Sequence, residues 1–244
     1  IPVTGWEREL NLVRDELEQL QRDDSTTSLA LFETNPGQFT GAFLEEIETM
    51  VLTERFEYVE GVCHSPRSNS YSPFREIICK LSESFDLTSP AWGPLNKAIA
   101  LFLDEEEFAE QETMLGSRPR AEEDSEKVRL IDRLTGLFLE LGRQRPLVIC
   151  LRDLQRASKS SLNLLQSIAR NLSLLREEEV ESRGEDQPAP SKLLLLGTWN
   201  NESSGNSEET RETIGDRIEA LAEKEYCRRL RLRNLTLERV RDWV

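Results

Sequence analysis

Two uninterrupted apolar runs constrain the fold of this chain more than any other feature. They lie within 146–151, Pro-Leu-Val-Ile-Cys-Leu, and 192–198, Lys-Leu-Leu-Leu-Leu-Gly-Thr. A strand with one face in water alternates apolar and polar residues, whereas a central strand of a parallel sheet is apolar throughout because both of its faces are covered. The two runs therefore predict central strands of a parallel β-sheet.

Shorter apolar or alternating segments predict three more strands, at 28–33, 56–61 and 226–232. Between the strands, apolar residues recur at intervals of three and four, which is the spacing of amphipathic helices. The predicted helices are 4–22, 41–52, a segment opened by Pro73, 95–102, a segment capped by Ser125, 158–175 and 207–224. Strands that alternate with helices predict an α/β fold of three layers, a parallel sheet flanked by helices.

Two stretches between these elements are predicted to be loops. Residues 114–123 lack an apolar period, and 177–191 form an acidic surface loop with glycine and two prolines. No apolar run approaches the roughly 20 residues that cross a bilayer. The first residues lack the basic and apolar regions of a signal peptide. Because the chain begins without methionine and ends in a helical pattern, 236–244, we expect a piece of a longer polypeptide.

Acidic residues outnumber basic ones by 46 to 31, and the formal net charge is −15. A nucleic-acid surface must neutralise phosphates, so this charge argues against nucleic acid as a partner. The local exception is 227–233, Cys-Arg-Arg-Leu-Arg-Leu-Arg. Its alternation predicts a strand with one arginine-bearing face in solvent, and a basic site for an acidic partner is the alternative.

The residues of metal centres and of activated nucleophiles are sparse. The four cysteines, Cys63, Cys79, Cys150 and Cys227, form no C-x-x-C pair, which favours a reducing cytoplasm. His64 is the only histidine and directly follows Cys63 in a predicted loop. Adjacent positions in the chain are poor evidence for a nucleophile and its base. We therefore expect no metal site.

Several short motifs follow one another along the chain: 3–10 (Val-Thr-Gly-Trp-Glu-Arg-Glu-Leu), 60–63, 71–76, 145–154, 194–199 and 230–240. Their order and spacing resemble the ATPase domain of the AAA-like and STAND group of multidomain signalling proteins. In that group the domain stands beside kinase, cyclase or DNA-binding domains. The resemblance implies a P-loop NTPase-like core over 1–235, and a helical lid or a following domain that begins at 236–244.

That family holds nucleotide phosphates in a loop, G-x-x-x-x-G-K-[ST], between the first strand and its helix. The corresponding segment here is 34–41, Thr-Asn-Pro-Gly-Gln-Phe-Thr-Gly. The family's first glycine matches Thr34, its lysine matches Thr40, and its magnesium-binding Ser/Thr matches Gly41. Phe39 places a ring where backbone should approach phosphate. The resemblance thus implies a degenerate nucleotide site made of Thr34, Asn35, Gly37, Phe39, Thr40 and Gly41.

The other half of the family's site is an acidic pair at the end of the central strand. In this chain the pair is Arg152-Asp153. An arginine at the first position would repel Mg²⁺ instead of binding it. The basic residue that often follows the family's fourth strand is replaced by Asn200-Asn201. The resemblance therefore implies no catalytic residue, no metal and a vestigial acidic motif at Arg152 and Asp153.

Loss of the lysine, the metal hydroxyl and the metal carboxylate together favours a catalytically inactive pseudo-ATPase without a cofactor. Its expected role is a scaffold, assembly or protein-interaction module in a larger cytoplasmic signalling protein. The expected partners are other domains of the same polypeptide, other proteins or a second copy, and neither nucleic acid nor membrane.

Three alternatives remain open, of which an active ATPase is the least favoured. The first is a regulatory switch that binds ATP or ADP without Mg²⁺, with Arg152 on a phosphate. The competing interpretation is that Arg152 pairs with a nearby carboxylate such as Glu33 and fills the site. The second alternative is an enzyme of unrelated chemistry in the same fold, for which Asp153 and Glu33 are the candidate carboxylates.

Overall fold

The computed structural model describes residues 5–35, 40–64, 71–87, 90–96, 99–100, 120–181, 189–200 and 208–232. Within them the strands are β1 (Leu29–Thr34), β2 (Glu57–Val62), β3 (Leu147–Arg152), β4 (Leu193–Asn200) and β5 (Cys227–Arg231). The α-helices are α1 (Glu7–Gln21), α2 (Thr40–Thr53), α3 (Ser72–Ser84), α4 (Arg120–Gln144), α5 (Lys159–Glu181) and α6 (Glu208–Ala222). Short 3₁₀ helices cover Pro90–Leu95 and Leu154–Arg156. No helix in the described part of the chain is both long and apolar enough to span a membrane.

All five strands run parallel, in the order β2-β3-β4-β1-β5. The two apolar runs form β3 and β4, which lie inside the sheet and are buried along nearly their whole length. Helices cover both faces of these strands, which is why no polar alternation survives in their sequences. The predicted α/β fold, a three-layer parallel sheet flanked by helices, is confirmed.

Alternate residues of each strand point to opposite faces of the sheet, and each face has its own apolar core. On β4, Leu195 packs towards helices α3 to α6, whereas Leu196 packs towards α1 and α2. On the α1–α2 side, the ring of Phe43 meets Trp6 and Phe32 edge to face, with centroids 5.4 and 5.0 Å away. The amphipathic helices therefore form the two outer layers.

The connections change direction between β1 and β4, which are neighbours in the sheet. The chain leaves β1 through α2 on one face and leaves β4 through α6 on the opposite face. Such a point opens a crevice outside the carboxyl ends of the strands, where α/β folds bind ligands. Of the predicted site residues, Thr34 and Arg152 end β1 and β3 at this edge, and Asn35 and Asp153 directly follow them.

Two predicted loops are partly helical. Helix α4 begins at Arg120, so 120–123 is not loop and Ser125 lies inside the helix instead of capping it. Helix α5 continues to Glu181, so the acidic loop predicted at 177–191 begins too early. Alanine and glutamate favour helix, and neither glycine nor proline interrupts these segments. Half of the predicted helix 95–102, residues 97, 98, 101 and 102, and the whole of 236–244 lie outside the described residues.

Candidate functional site at the carboxyl edge of the sheet

Thr34 ends β1 at this edge and is fastened to β4. It lies opposite Asn200 in the strand register, and its Oγ1 donates a hydrogen bond to the carbonyl oxygen of Trp199 at 3.1 Å. The following residue, Asn35, is exposed and lines a cavity of about 540 Å³ together with Arg8 and Arg231. The hydroxyl of Thr34 thus holds two strands together.

Thr40 and Gly41, the last two residues of the predicted phosphate loop, form the start of α2. The side chain of Thr40 is neutral. A Cβ built on Gly41 would meet no heavy atom within 4 Å, so close packing does not require glycine there. The other predicted loop residues, Gly37 and Phe39, lie outside the described residues.

Arg152 ends β3 and forms an ion pair with Glu60 of the neighbouring strand β2. Its Nη1 donates to Oε1 of Glu60 at 3.0 Å. Burial alone would lower the pKa of Arg152, but the hydrogen bond and the charge of Glu60 outweigh it and raise the pKa. The predicted pairing with a carboxylate is confirmed. The carboxylate suggested from the sequence, Glu33, is wrong, because Glu33 lies on β1, beyond the intervening strand β4.

Asp153 follows in the left-handed region, with φ 58° and ψ 46°, which aspartate tolerates better than most residues. Its backbone N–H donates to Oγ1 of Thr198 at 3.2 Å, and its Oδ1 accepts from Nε2 of Gln155 at 3.0 Å. The Oε1 of Gln155 in turn accepts from the backbone N–H of Asn200 at 3.0 Å. The carboxylate therefore belongs to a hydrogen-bond network that joins the ends of β3 and β4.

Close packing around Gly197 fixes the turn that carries this network. A Cβ built on Gly197 of β4 would lie 2.6 Å from Cδ1 of Leu154 and 2.7 Å from Cδ2 of Leu31. Both leucines are almost completely buried, so neither can move aside freely. The absence of a side chain at Gly197 lets Leu154 anchor the turn that follows Asp153.

Glu33, the penultimate residue of β1, is held by two arginines of the edge strand β5. Its Oε2 accepts from Nη2 of Arg229 at 2.8 Å and from Nε of Arg231 at 3.2 Å. Burial would raise the pKa of Glu33, but the two arginines outweigh it and lower the pKa below its ordinary value of 4.5. The arginine-bearing face predicted at 227–233 is therefore confirmed for these two residues, and its charge is used in ion pairs.

The pairing of Cys63 with His64 as nucleophile and base is not supported. Cys63 is 2% exposed, and burial raises the pKa of its thiol to about 12. A thiol of that pKa is not a thiolate at neutral pH. His64 is exposed at the end of the segment that follows β2. Among the described residues, no cluster of three or more His, Cys, Asp or Glu side chains could hold a metal ion.

The sequence patterns predict no role for two residues of this edge, Glu60 and Gln155. Glu60 is 92 residues from Arg152 in the chain, and only the register of β2 against β3 brings the two together. Gln155 does carry a local signal. It stands two residues after a predicted site residue, Asp153, at a spacing where a side-chain amide can reach the preceding carboxylate.

Comparison with known families decides the assignment. The sequence model of the AAA ATPase domain matches residues 39–179, more than half of the chain. The chain belongs to this family. The match with the AAA ATPase domain begins at Phe39, inside the predicted phosphate loop, and includes Thr40, Gly41, Arg152 and Asp153. The AAA-like assignment made from motif order is therefore confirmed at the level of the family.

Two solved structures of the Aeropyrum pernix ORC2 protein are similar to this AAA ATPase domain at low sequence identity. The structure with ADPNP–ADP complexes is 12% identical over 93% of this chain and 47% of its own, with a TM-score of 0.40. The ADP form is 13% identical over 95% of this chain and 48% of its own, with a TM-score of 0.44. The chain thus spans about half the length of these proteins. No match was found among curated protein sequences.

Proposed function

We propose that this AAA ATPase domain is a pseudo-ATPase of the STAND type, which has lost hydrolysis and acts as a scaffold or protein-interaction module. The observation that carries the proposal is that the two charged side chains at the carboxyl end of β3, that of its last residue and that of the next, bind other protein groups. Arg152 is bound to Glu60, and the carboxylate of Asp153 is bound to Gln155.

A magnesium–nucleotide site does not fit these residues. Mg²⁺ takes oxygen ligands in near-octahedral geometry, some of them from a hydroxyl and a carboxylate of the protein. Gly41 offers no oxygen from a side chain, and Arg152 brings a guanidinium to the end of the strand that should supply the first carboxylate. We therefore derive no hydrolytic step through a metal.

The positive charge that phosphoryl transfer requires is also missing from the start of α2. Transfer of the γ-phosphoryl group is accelerated mainly by positioning and by fixed charges around the phosphate oxygens. Thr40 is neutral, and the hydroxyl of Thr34 donates to Trp199. These observations support a domain without ATP turnover.

Loss of chemistry leaves the surface and the rigid core of the domain available for assembly. We propose that residues 1–235 form this core and that 236–244 begin a helical lid or a further domain. The proposed partners are neighbouring domains, other proteins or a second copy. Four cysteines with free thiols support a reducing compartment, and we propose the cytoplasm.

A second candidate function is nucleotide binding without Mg²⁺, and the cavity beside Asn35 favours it. Its volume of about 540 Å³ is within the usual range for small-molecule sites, and Arg8, Arg229 and Arg231 are among its lining residues. A phosphate group would be attracted to these guanidinium groups. Arg229 and Arg231 are already bound to Glu33, as Arg152 is to Glu60, so Arg8 is the arginine of this cavity that best suits a phosphate contact.

The proposed function is tested by measuring ATP turnover with and without Mg²⁺ in the parent chain and in Asp153→Asn. Asparagine tolerates the left-handed conformation of Asp153, so this variant removes the charge without adding backbone strain. We expect no Mg²⁺-dependent turnover in either protein. Turnover that requires Mg²⁺ and disappears in Asp153→Asn would show that the pseudo-ATPase proposal is wrong.

The second candidate is tested by thermal unfolding with ATP or ADP in the presence of EDTA. A ligand that binds only the folded state raises the melting temperature by mass action. Arg8→Gln should reduce this rise if phosphate occupies the cavity. The matched control is Arg14→Gln, an exposed arginine of the same helix that is not part of the cavity lining. No rise at millimolar nucleotide would exclude this candidate.

A further inference from the structure

One edge of the sheet carries unpaired backbone groups at the bottom of a groove. Strand β2 is the edge strand next to β3, and a groove of about 490 Å³ runs along it between α2 and α3. Its lining includes Glu48 and Leu52 of α2, the first residues of β2, and Lys80 of α3. Edge strands are templates for pairing with another chain unless the protein covers or charges them.

The hydrogen bonds of β2 identify which of its backbone groups face the groove. The N–H groups of Glu57 and Cys63 donate to carbonyl oxygens of Pro146 and Arg152, so the odd-numbered residues of this strand face β3. Since neighbouring residues point in opposite directions, the backbone groups of Tyr58, and of Glu60 after it, face the groove.

The far end of this edge is already closed by side chains. The N–H of Val62 donates to Oε2 of Glu76 at 3.1 Å, and the carbonyl oxygen of Glu60 accepts from Nζ of Lys80 at 2.7 Å. Within the described residues, the N–H and C=O of Tyr58 and the N–H of Glu60 have no such partner. The open edge therefore suits a short extended segment that ends near Lys80.

The side chains around the open edge indicate the chemistry of the partner. Glu48 is exposed and forms no ion pair in the described part of the chain. Glu57 is bound to Arg145 through Oε1, but its Oε2 is buried and has no hydrogen-bond donor among the described residues. Leu52 adds an apolar surface and is 56% exposed. The groove thus offers two hydrogen-bond acceptors, the carboxylate of Glu48 and the backbone carbonyl of Tyr58, beside the apolar side chain of Leu52.

We infer that the β2 edge is a docking site for an extended peptide segment that carries lysine or arginine next to an apolar residue. The peptide adds a strand beside Tyr58, its basic side chain meets the exposed carboxylate of Glu48, and its apolar side chain covers Leu52. A second copy of this chain is a poorer occupant, because each copy carries a net charge of −15. The inference deepens the proposed assembly role and rests on it, but it does not depend on the loss of hydrolysis.

Binding is tested on the whole chain with a fluorescein-labelled peptide of alternating valine and lysine, followed by anisotropy and by amide chemical shifts. Two control peptides separate the contributions, one with glutamate for lysine and one N-methylated at alternate backbone nitrogens. We expect the lysine peptide to bind, both controls to fail, and the amides of Tyr58 and Glu60 to shift. Equal binding of either control peptide, or no binding at millimolar peptide, would overturn the inference.

Charge reversal on α2 provides the matched variants. Glu48→Lys should weaken binding about tenfold or more, because it places a like charge opposite the lysine of the peptide. Glu45→Lys makes the same change on the same helix at an exposed residue outside the groove lining, and it should change affinity less than about twofold. Leu52→Ser should also weaken binding. Equal effects of the two lysine variants would contradict the groove as the docking site.

The amide shifts also distinguish two other results, binding at the opposite edge of the sheet and self-association at β2. Shifts in the amides of 227–231 instead of Tyr58 would place the peptide on the opposite edge, and concentration-dependent shifts at Tyr58 without peptide would make a second copy the occupant. Either result overturns the inference. Mg²⁺-dependent ATP turnover would overturn the proposed loss of hydrolysis and leave peptide binding at β2 intact, so failure of one is not failure of the other.

Discussion

Arg152 at the end of β3 binds Glu60 of β2, with 3.0 Å between Nη1 and Oε1. The pair joins two neighbouring strands at the edge where an AAA ATPase domain is expected to hold its metal. The arginine side chain is 35% exposed and that of the glutamate 23%, so the pair is only partly screened by water. The guanidinium of Arg152 therefore stabilises the contact between β2 and β3, and its positive charge repels a metal ion at the same place.

Replacing this arginine tests how much the pair stabilises the fold. Arg152→Met removes the charge and keeps an unbranched side chain. We expect a loss of about 1 kcal/mol in the free energy of unfolding, because the pair is hydrogen-bonded but partly exposed. Urea denaturation measures the loss. Arg156→Met, an exposed arginine four residues further on, is the control and should change stability by less than about 0.5 kcal/mol.

The proposed loss of hydrolysis predicts that changing only the predicted phosphate-loop residues does not produce ATP turnover. The double variant Thr40→Lys/Gly41→Ser adds the missing cation and hydroxyl, and the space around Gly41 admits the new side chain. We expect normal folding and no Mg²⁺-dependent turnover, since Arg152 still holds the other half of the site. Phosphate release is measured in parallel in this variant and in the same variant with Arg152→Asp. Turnover in the double variant alone would contradict the prediction.

The buried carboxylate of Glu16 makes Arg228 important for stability. Arg228 donates to Oε1 of Glu16, whose side chain is 4% exposed. Arg228→Met would leave a buried charge with fewer partners, and we expect a loss of about 3 kcal/mol. Arg22→Met is the matched control, because its pair with Glu18 lies at the surface with the arginine 69% exposed. Losses of equal size in the two variants would argue against a special role for the pair that Arg228 forms with the buried carboxylate of Glu16.

The lowered pKa of Glu33 predicts an acid-sensitive contact between β1 and β5. The unfolded chain binds a proton on this residue at higher pH than the folded chain does, so stability rises with pH in this range. The contribution is complete above the ordinary pKa of 4.5 and is lost as the pH falls through the lowered pKa. Glu33→Gln should therefore flatten the stability curve below about pH 5. Denaturant unfolding at several pH values measures this.

The control for the acid titration is Glu223→Gln, which changes an exposed glutamate that forms no ion pair in the described residues. Its curve should run parallel to that of the parent protein. If the curve of Glu33→Gln also runs parallel to the parent curve, Glu33 is not the group that makes this contact sensitive to acid.

Gly197 is predicted to tolerate no side chain. Gly197→Ala would force Leu154 and Leu31 apart, because both lie closer to the new Cβ than a normal contact allows. Overpacking of this kind costs about 1–3 kcal/mol. Gly215→Ala is the control, since its Cβ meets nothing within 4 Å and alanine favours the helix. The control should unfold at a slightly higher temperature than the parent, and Gly197→Ala at a lower one.

The elements that could be predicted from the sequence are those whose own residues, without distant contacts, show the pattern typical of a strand or a helix. Each strand of the sheet lies within one or two residues of its predicted position, because burial on both faces leaves an apolar run that needs no distant information. The start of α4 was predicted five residues too late, because Ser125 satisfies the capping pattern inside a segment that is helical anyway. Capping residues mark helix ends only when the residues before them do not favour helix.

The candidate site also has one part that could be predicted from the sequence and one that could not. The neutral Thr40 and the missing side chain of Gly41 are facts of sequence, and folding cannot add a charge or a hydroxyl to them. Only part of the hydrogen-bond network around Asp153 could be inferred from the sequence. Gln155 is near Asp153 in the chain, whereas Thr198 comes from another strand. The sequence therefore predicted which groups are absent better than it predicted what the remaining groups bind.

By itself the sequence determined the layers of this protein and the absence of charged side chains from 34–41, the segment predicted to be a phosphate loop, since both depend on residue type and local spacing. Only the tertiary structure decided that Arg152 binds Glu60 and that Glu33 binds Arg229 and Arg231. The physical reason is the strand order. Ion pairs form between strands that lie side by side, and in this sheet β2 neighbours β3 while β1 neighbours β5. That order is set by long crossover connections, which leave no signal in the spacing of the charged residues themselves.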